Sequence, residues 1–123
     1  QVTCVEQDPE LADGLQELGF QVVCGDFMNM VWMTQFDRIV MNPPFSHNQA
    51  EAHVERAFEL LRPGGILAAI MPGGIWHPGQ DYGRNRFADR MLTGAIEITE
   101  LPEGTFKESG TGVRTAQLIW RKE

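Results

Sequence analysis

Apolar residues along this chain fall into short strand-like runs separated by stretches of helical period, and the two kinds of segment alternate. Residues 2–6 (Val-Thr-Cys-Val-Glu) predict a first strand. Asp8 is then a good N-cap, and Pro9 a good first helical residue because its missing N–H has no intrahelical partner there anyway. Leu11, Ala12, Leu15 and Leu18 share one helix face and are expected to be buried, and Gly19 ends the helix. Residues 20–24 predict the next strand, so strand, helix and strand in so few residues imply a parallel crossover. Residues 28–35 crowd Met28, Met30, Val31, Trp32 and Met33 together. One helical turn packed on the sheet is the simpler expectation, and an adaptable methionine-lined pocket the other.

Residues 36–41 form the next run, β-branched at its centre, and Pro43 and Pro44 stop it because neither can donate to a ladder. A helix is expected over residues 49–61, capped by Ser46, His47 or Asn48. Ala50, Val54, Ala57, Phe58 and Leu61 form its buried stripe, with Glu51, Glu55, Arg56 and Glu59 facing water. Arg62-Pro63-Gly64-Gly65 breaks that helix. Residues 66–71 follow as an uninterrupted apolar strand, which suits a central position covered on both faces. Pro72-Gly73-Gly74 ends it. Residues 73–80 read as a loop, 82–92 as a helix, 95–101 as a strand, 102–112 as a turn-rich excursion containing Phe106, and 113–120 as a last strand that pairs antiparallel. The order fits a doubly wound α/β sandwich with a mostly parallel sheet, in one domain over residues 1–123.

The chemistry concentrates at the end of the strand over residues 36–41. Asn42 offers an amide oxygen, and the carbonyls of Pro43 and Pro44 are free of strand duty, so they could accept both hydrogens of an amino group on a planar substrate. Phe45 is placed to stack on that plane, as aromatic rings do on unpaired bases. This Asn-Pro-Pro-Phe turn after a strand resembles the catalytic motif of class I S-adenosylmethionine-dependent amino methyltransferases, above all the N6-adenine DNA methyltransferases. The resemblance covers nearly the whole chain, from the second to the seventh strand of that Rossmann-like fold. It implies S-adenosylmethionine as cofactor and Asn42, Pro43, Pro44 and Phe45 as the catalytic residues, with Asn42 also at the cofactor.

Two acidic residues close the strands before Asn42. Glu6 ends the first, where a carboxylate can accept from both hydroxyls of a ribose; a solvated acid at a helix N-terminus is the plainer alternative. Asp26 ends the second, with Phe27 beside it. The resemblance gives Glu6 the ribose of the cofactor, Asp26 the exocyclic amine of its adenine, and Phe27 the packing on that ring. An aspartate after a glycine is also a common turn device. Ser109-Gly110-Thr111-Gly112-Val113-Arg114-Thr115 looks like the tail of many adenine methyltransferases, including modification subunits of restriction systems. It favours adenine N6 over the other owners of Asn-Pro-Pro-aromatic turns, which act on the N2 amine of ribosomal guanine or the glutamine amide of a release factor.

Composition adds limits. A chain of 123 residues can bury one modest core, and no apolar run approaches the ~20 residues a membrane span needs. Its net charge of −7 is opposite in sign to a domain that grips duplex phosphates. Nucleic acid, DNA ahead of RNA, is therefore expected to need a local patch or another domain or chain for target recognition. Arg84, Arg86 and Arg90 on one predicted helix are candidates for phosphate contact, or solvated surface. Cys4 and Cys24 lack metal-binding spacing and are expected to be buried, reduced thiols of a cytoplasmic protein. His47, His53 and His77 lack ligand spacing, so no metal site is expected; His47, two residues past Phe45, is near enough to touch substrate.

The family's domain opens with a further strand and a Gly-rich loop for the methionine half of the cofactor, and nothing here matches either. The chain is thus expected to be an N-terminally truncated version of that fold. The missing strand lies centrally, between those ending in Glu6 and Asn42. Upstream residues, a second chain in a homo-oligomer, or direct pairing of the two flanking strands are three ways to satisfy the open edges. A non-catalytic module of the same fold stands as the alternative function.

Overall fold

The computed structural model describes residues 1–46, 49–73, 95–105 and 114–123. They fall into two compact units, Gln1–Met33 and Thr34–Glu123, each taken by itself below.

The first unit is a strand–helix–strand crossover. Strands β1 (Thr3–Glu6) and β2 (Gln21–Cys24) pair in parallel, Thr3 opposite Gln21 and Glu6 opposite Cys24. Helix α1 (Pro9–Glu17) joins them and starts where expected. The Asp8 carboxylate accepts the backbone N–H groups of Glu10 and Leu11 at 2.9 and 3.3 Å, and Pro9 follows as the first helical residue. Gly19 closes the helix at φ +93°, a left-handed conformation that suits a residue without Cβ.

Its leucine stripe departs from expectation. Ala12 is buried at 3% exposure and Leu15 is half-buried, whereas Leu11 and Leu18 remain 60% and 75% exposed. A sheet of two short strands is too narrow to cover the whole stripe. The thiols also differ from the buried pair expected: both are free, but Cys4 is half-buried and Cys24 exposed. After β2 comes a 3₁₀ turn, Phe27–Asn29, with no buried residue, in place of the sheet-packed helical turn expected within residues 28–35. Met28, Val31 and Met33 stay exposed around it.

The second unit is a four-stranded sheet in the order β3-β4-β6-β5 with helix α2 (Gln49–Glu59). Strand β3 (Phe36–Met41) pairs in parallel with β4 (Leu61–Pro72). The last strand, β6 (Thr115–Arg121), runs antiparallel to both β4 and β5 (Ala95–Glu100). Thus β3, β4 and β5 share one direction, and only the final strand opposes them. In the first unit β1 and β2 make up a sheet of their own.

The helix breaker at residues 62–65 does more than end α2. The helix stops at Glu59 rather than Leu61, and Leu61 already pairs with Phe36. The next partners are Arg38 and Ile66, so Arg62–Gly65 bulge out of a strand longer than the sequence predicts. Gly64 takes φ +81° in this bulge, and its N–H and the carbonyl of Gly65 both bond to Lys122 of the edge beyond β6.

Leu67, Ala69, Met71, Leu118 and Trp120 are buried on one face of the sheet, with Ala50, Val54 and Ala57 of α2 buried in the same unit. Phe58 stacks on Trp120 with ring centroids 3.6 Å apart, joining helix to sheet. Glu51, expected in water, is only 9% exposed, because it lies within one turn of the buried Ala50 and Val54. The opposite face of β4, carrying Ile66, Ala68 and Ile70, is half-buried rather than fully covered. No described helix is long and apolar enough to cross a membrane. The predicted loop from residue 74, the helix over residues 82–92, Phe106, His47, His77 and most of the Ser109–Thr115 segment lie outside the described residues.

Candidate functional site

In the first unit, two acids stand at the carboxyl ends of adjacent parallel strands. Glu6 is the last residue of β1. Its Oε1 accepts the backbone N–H of Asp8 at 3.0 Å, which holds the carboxylate beside the start of α1. The Glu6 carbonyl accepts the N–H of Gly25 at 3.0 Å and so draws together the ends of β1 and β2. Asp26 follows directly. Its Oδ1 accepts the N–H of Met28 at 3.0 Å and its Oδ2 the side-chain amide of Asn29 at 2.9 Å.

Asp26 is therefore the N-cap of the 3₁₀ turn, the turn role foreseen for it. One bond per oxygen still leaves a carboxylate with accepting capacity on both. Phe27, half-buried, begins the turn and is set beside the acid by it. Asn29 is a positioning residue that sequence reasoning missed; its signal is an amide three residues after a capping aspartate.

In the second unit, the ladder between β3 and β4 ends at Met41 opposite Ala69. Asn42 comes next, and the prolines explain the stop: neither has an N–H to continue the ladder. Pro43 is buried, Pro44 exposed and Phe45 half-buried. The Asn42 side chain is exposed and makes no hydrogen bond with the described residues. Its amide is thus presented rather than consumed by the turn.

The parallel neighbour β4 runs on to Pro72, after which the Gly73 N–H donates to the Arg114 carbonyl at 2.7 Å. A Cβ on Gly73 would lie 3.1 Å from that carbonyl oxygen, so the glycine permits a close approach of two backbone segments at the end of the sheet. Ser46 Oγ accepts from Gln49 Nε2 at 3.1 Å, fixing the residue after Phe45 to the first turn of α2. Glu6, Asp26 and Phe27 are thus brought together in one unit, and Asn42 to Phe45 in the other.

Residues 8–73 match the family model of the methyltransferase small domain. The chain belongs to this family. The matched span runs from the N-cap of α1 through the Asn42 turn to the end of β4. S-adenosylmethionine is the cofactor of the family. No curated protein matches the chain.

Solved structures share the fold at low identity. A Listeria monocytogenes protein assigned provisionally to the class I S-adenosylmethionine-dependent methyltransferases is 18% identical with a TM-score of 0.73, over 98% of this chain and 44% of that one. The methyltransferase subunit of a type I restriction-modification system from Streptococcus thermophilus is 20% identical with a TM-score of 0.73, over 97% of this chain and 33% of that one. NodS, an N-methyltransferase of Bradyrhizobium japonicum solved with S-adenosyl-L-homocysteine, is 15% identical with a TM-score of 0.67, over 99% of this chain and 66% of that one. The chain therefore spans less than half of the first two. These likenesses establish the Rossmann-like methyltransferase fold, with its antiparallel last strand.

Proposed function

We propose that this chain serves methyl transfer from S-adenosylmethionine to an exocyclic amine, N6 of adenine in DNA. The observation that carries the reading is the exposed Asn42, without a hydrogen-bond partner among the described residues, in an Asn-Pro-Pro-Phe segment at the carboxyl end of a parallel strand. Membership of the methyltransferase family and the fold shared with a restriction-modification methyltransferase subunit support it. The matched span crosses from one compact unit into the other, which supports one methyltransferase domain over both.

The residues fit the adenosine half of the cofactor. Glu6 keeps an oxygen without a partner among the described residues for ribose hydroxyls, and Asp26 keeps accepting capacity for an adenine amine with Phe27 packed beside it. S-adenosylmethionine, when bound, would supply an electrophilic methyl group, its S–CH3 bond breaking to leave S-adenosylhomocysteine. Asn42 Oδ1 and the Pro43 carbonyl would accept the two hydrogens of the target amine, leaving its lone pair free to take a methyl group. The same two oxygens stabilise positive charge as it develops on nitrogen, until the surplus proton leaves to water. Phe45 holds an extruded base by stacking, and Pro44 keeps the turn rigid.

Asn42→Ala is expected to lower methylation of an adenine-containing duplex by about a hundredfold or more, with unchanged circular dichroism. Undiminished turnover would remove Asn42 from the chemistry, and transfer to guanine N2 or a glutamine amide instead would redirect the substrate. A second reading, a non-catalytic module, draws on the net charge of −7, which does not favour a nucleic-acid substrate. Calorimetric titration with S-adenosylhomocysteine separates the two. Micromolar affinity, about −8 kcal/mol, supports the enzyme, and absence of binding supports the module.

A further inference from the structure

Charge is unevenly divided along the chain. Residues 1–33 contain Glu6, Asp8, Glu10, Asp13, Glu17 and Asp26 but no Lys, Arg or His. Every Lys and Arg lies in residues 34–123, where ten bases nearly balance eleven acids. The first unit thus holds −6 of the formal charge of −7.

That acidity is arranged on α1. At about 100° per residue, Leu11 and Leu18 fall within one narrow stripe. On one side of the stripe Leu15 and Ala12 turn inward, half-buried and buried. On the other side come Gly14 and then Glu10, Asp13 and Glu17, all exposed. A Cβ on Gly14 would meet nothing within 4 Å, so open space lies between the two leucines. Phe20, also exposed, follows directly after the end of the helix. The face is an apolar strip with one acidic border.

We propose that this face of α1 is a docking surface for a partner polypeptide, a helix carrying leucine-like side chains bordered by Lys or Arg. The apolar strip supplies an area worth removing from water, and the border selects the sign of the partner. The same border repels nucleic acid and anionic lipid. It also opposes a second copy of the chain, which would bring acids against acids. The proposal does not depend on methyl transfer.

The test uses the whole chain and a fluorescent amphipathic peptide of roughly 18 residues, with leucines on one stripe and lysines on its flanks. A companion peptide has glutamate in place of every lysine. The lysine peptide is expected to bind one to one and about tenfold or more tighter than its companion. Raising salt from about 50 to 500 mM weakens the complex. Leu11→Gln/Leu18→Gln, which alters only exposed side chains, lowers affinity about tenfold with unchanged circular dichroism. Equal binding of both peptides, equal binding by the double variant, or no binding at all would each overturn the proposal. Self-association of the chain that the double variant abolishes would overturn it too, by giving the face to a second copy.

Discussion

At the scale of single residues, the two glycines of the β4 bulge separate two kinds of constraint. A Cβ on Gly65 would lie 2.8 Å from the Arg62 carbonyl oxygen and 3.2 Å from that of Asp37, both backbone atoms unable to swing away. Gly64 has open space around it but sits at φ +81°. Gly65→Ala is therefore expected to cost about 1–3 kcal/mol, as overpacking does, and Gly64→Ala about 1 kcal/mol from backbone strain alone. Urea midpoints at unchanged slope would show the order, and a reversed order would contradict the close approach at Gly65. Asp8 and Asp26 were also legible residue by residue, because capping depends on only three or four consecutive positions. The exposure of Cys24 was not. It depends on what covers the strand, and local sequence does not report that.

At the scale of elements, the end of α2 is held by a residue more than sixty positions away. The Lys122 ammonium donates to the carbonyls of Phe58, Glu59 and Leu61 at 3.1, 3.3 and 2.8 Å. It also lies 5.3 Å from the centroid of the Phe58 ring. These carbonyls belong to the last turn of the helix and the residue that opens β4, where a cation is favourable on both hydrogen-bonding and dipole grounds. Lys122→Met keeps most of the aliphatic stem and removes the donors. It is expected to destabilise the protein by about 1–2 kcal/mol in chemical denaturation. No loss of stability would mean that water satisfies these carbonyls equally well. The sequence placed the breaker after α2 correctly, yet read it as a gap between elements. In the structure it is a bulge inside one, because the ladder with Phe36 resumes at Leu61 before the glycines are passed.

At the scale of the whole molecule, burial is as uneven as charge. Ala12 is the buried apolar residue of the first unit, whereas Val54, Leu61, Leu67, Met71 and Leu118 in the second are fully enclosed. Backbone amides of β1 and β2 should therefore exchange with deuterium roughly a hundredfold faster than those of β4 and β6, about 2.7 kcal/mol less opening free energy. Equal protection would show that the first unit opens only with the global unfolding of the chain.

Much was written in the sequence itself: the order of the described strands and helices, the cap at Asp8, the stop after Met41 and the antiparallel last strand. Each rests on local causes, namely proline's missing N–H, glycine's freedom at positive φ, and the periodicity of apolar side chains. Tertiary structure alone decided what covers what. It left Leu11 and Leu18 in water, drew Glu51 inward, extended β4 through a bulge and set Lys122 on the end of α2. Burial is a property of neighbours brought from far along the chain. Periodicity states which residues share a face, and only the fold states whether anything lies against it.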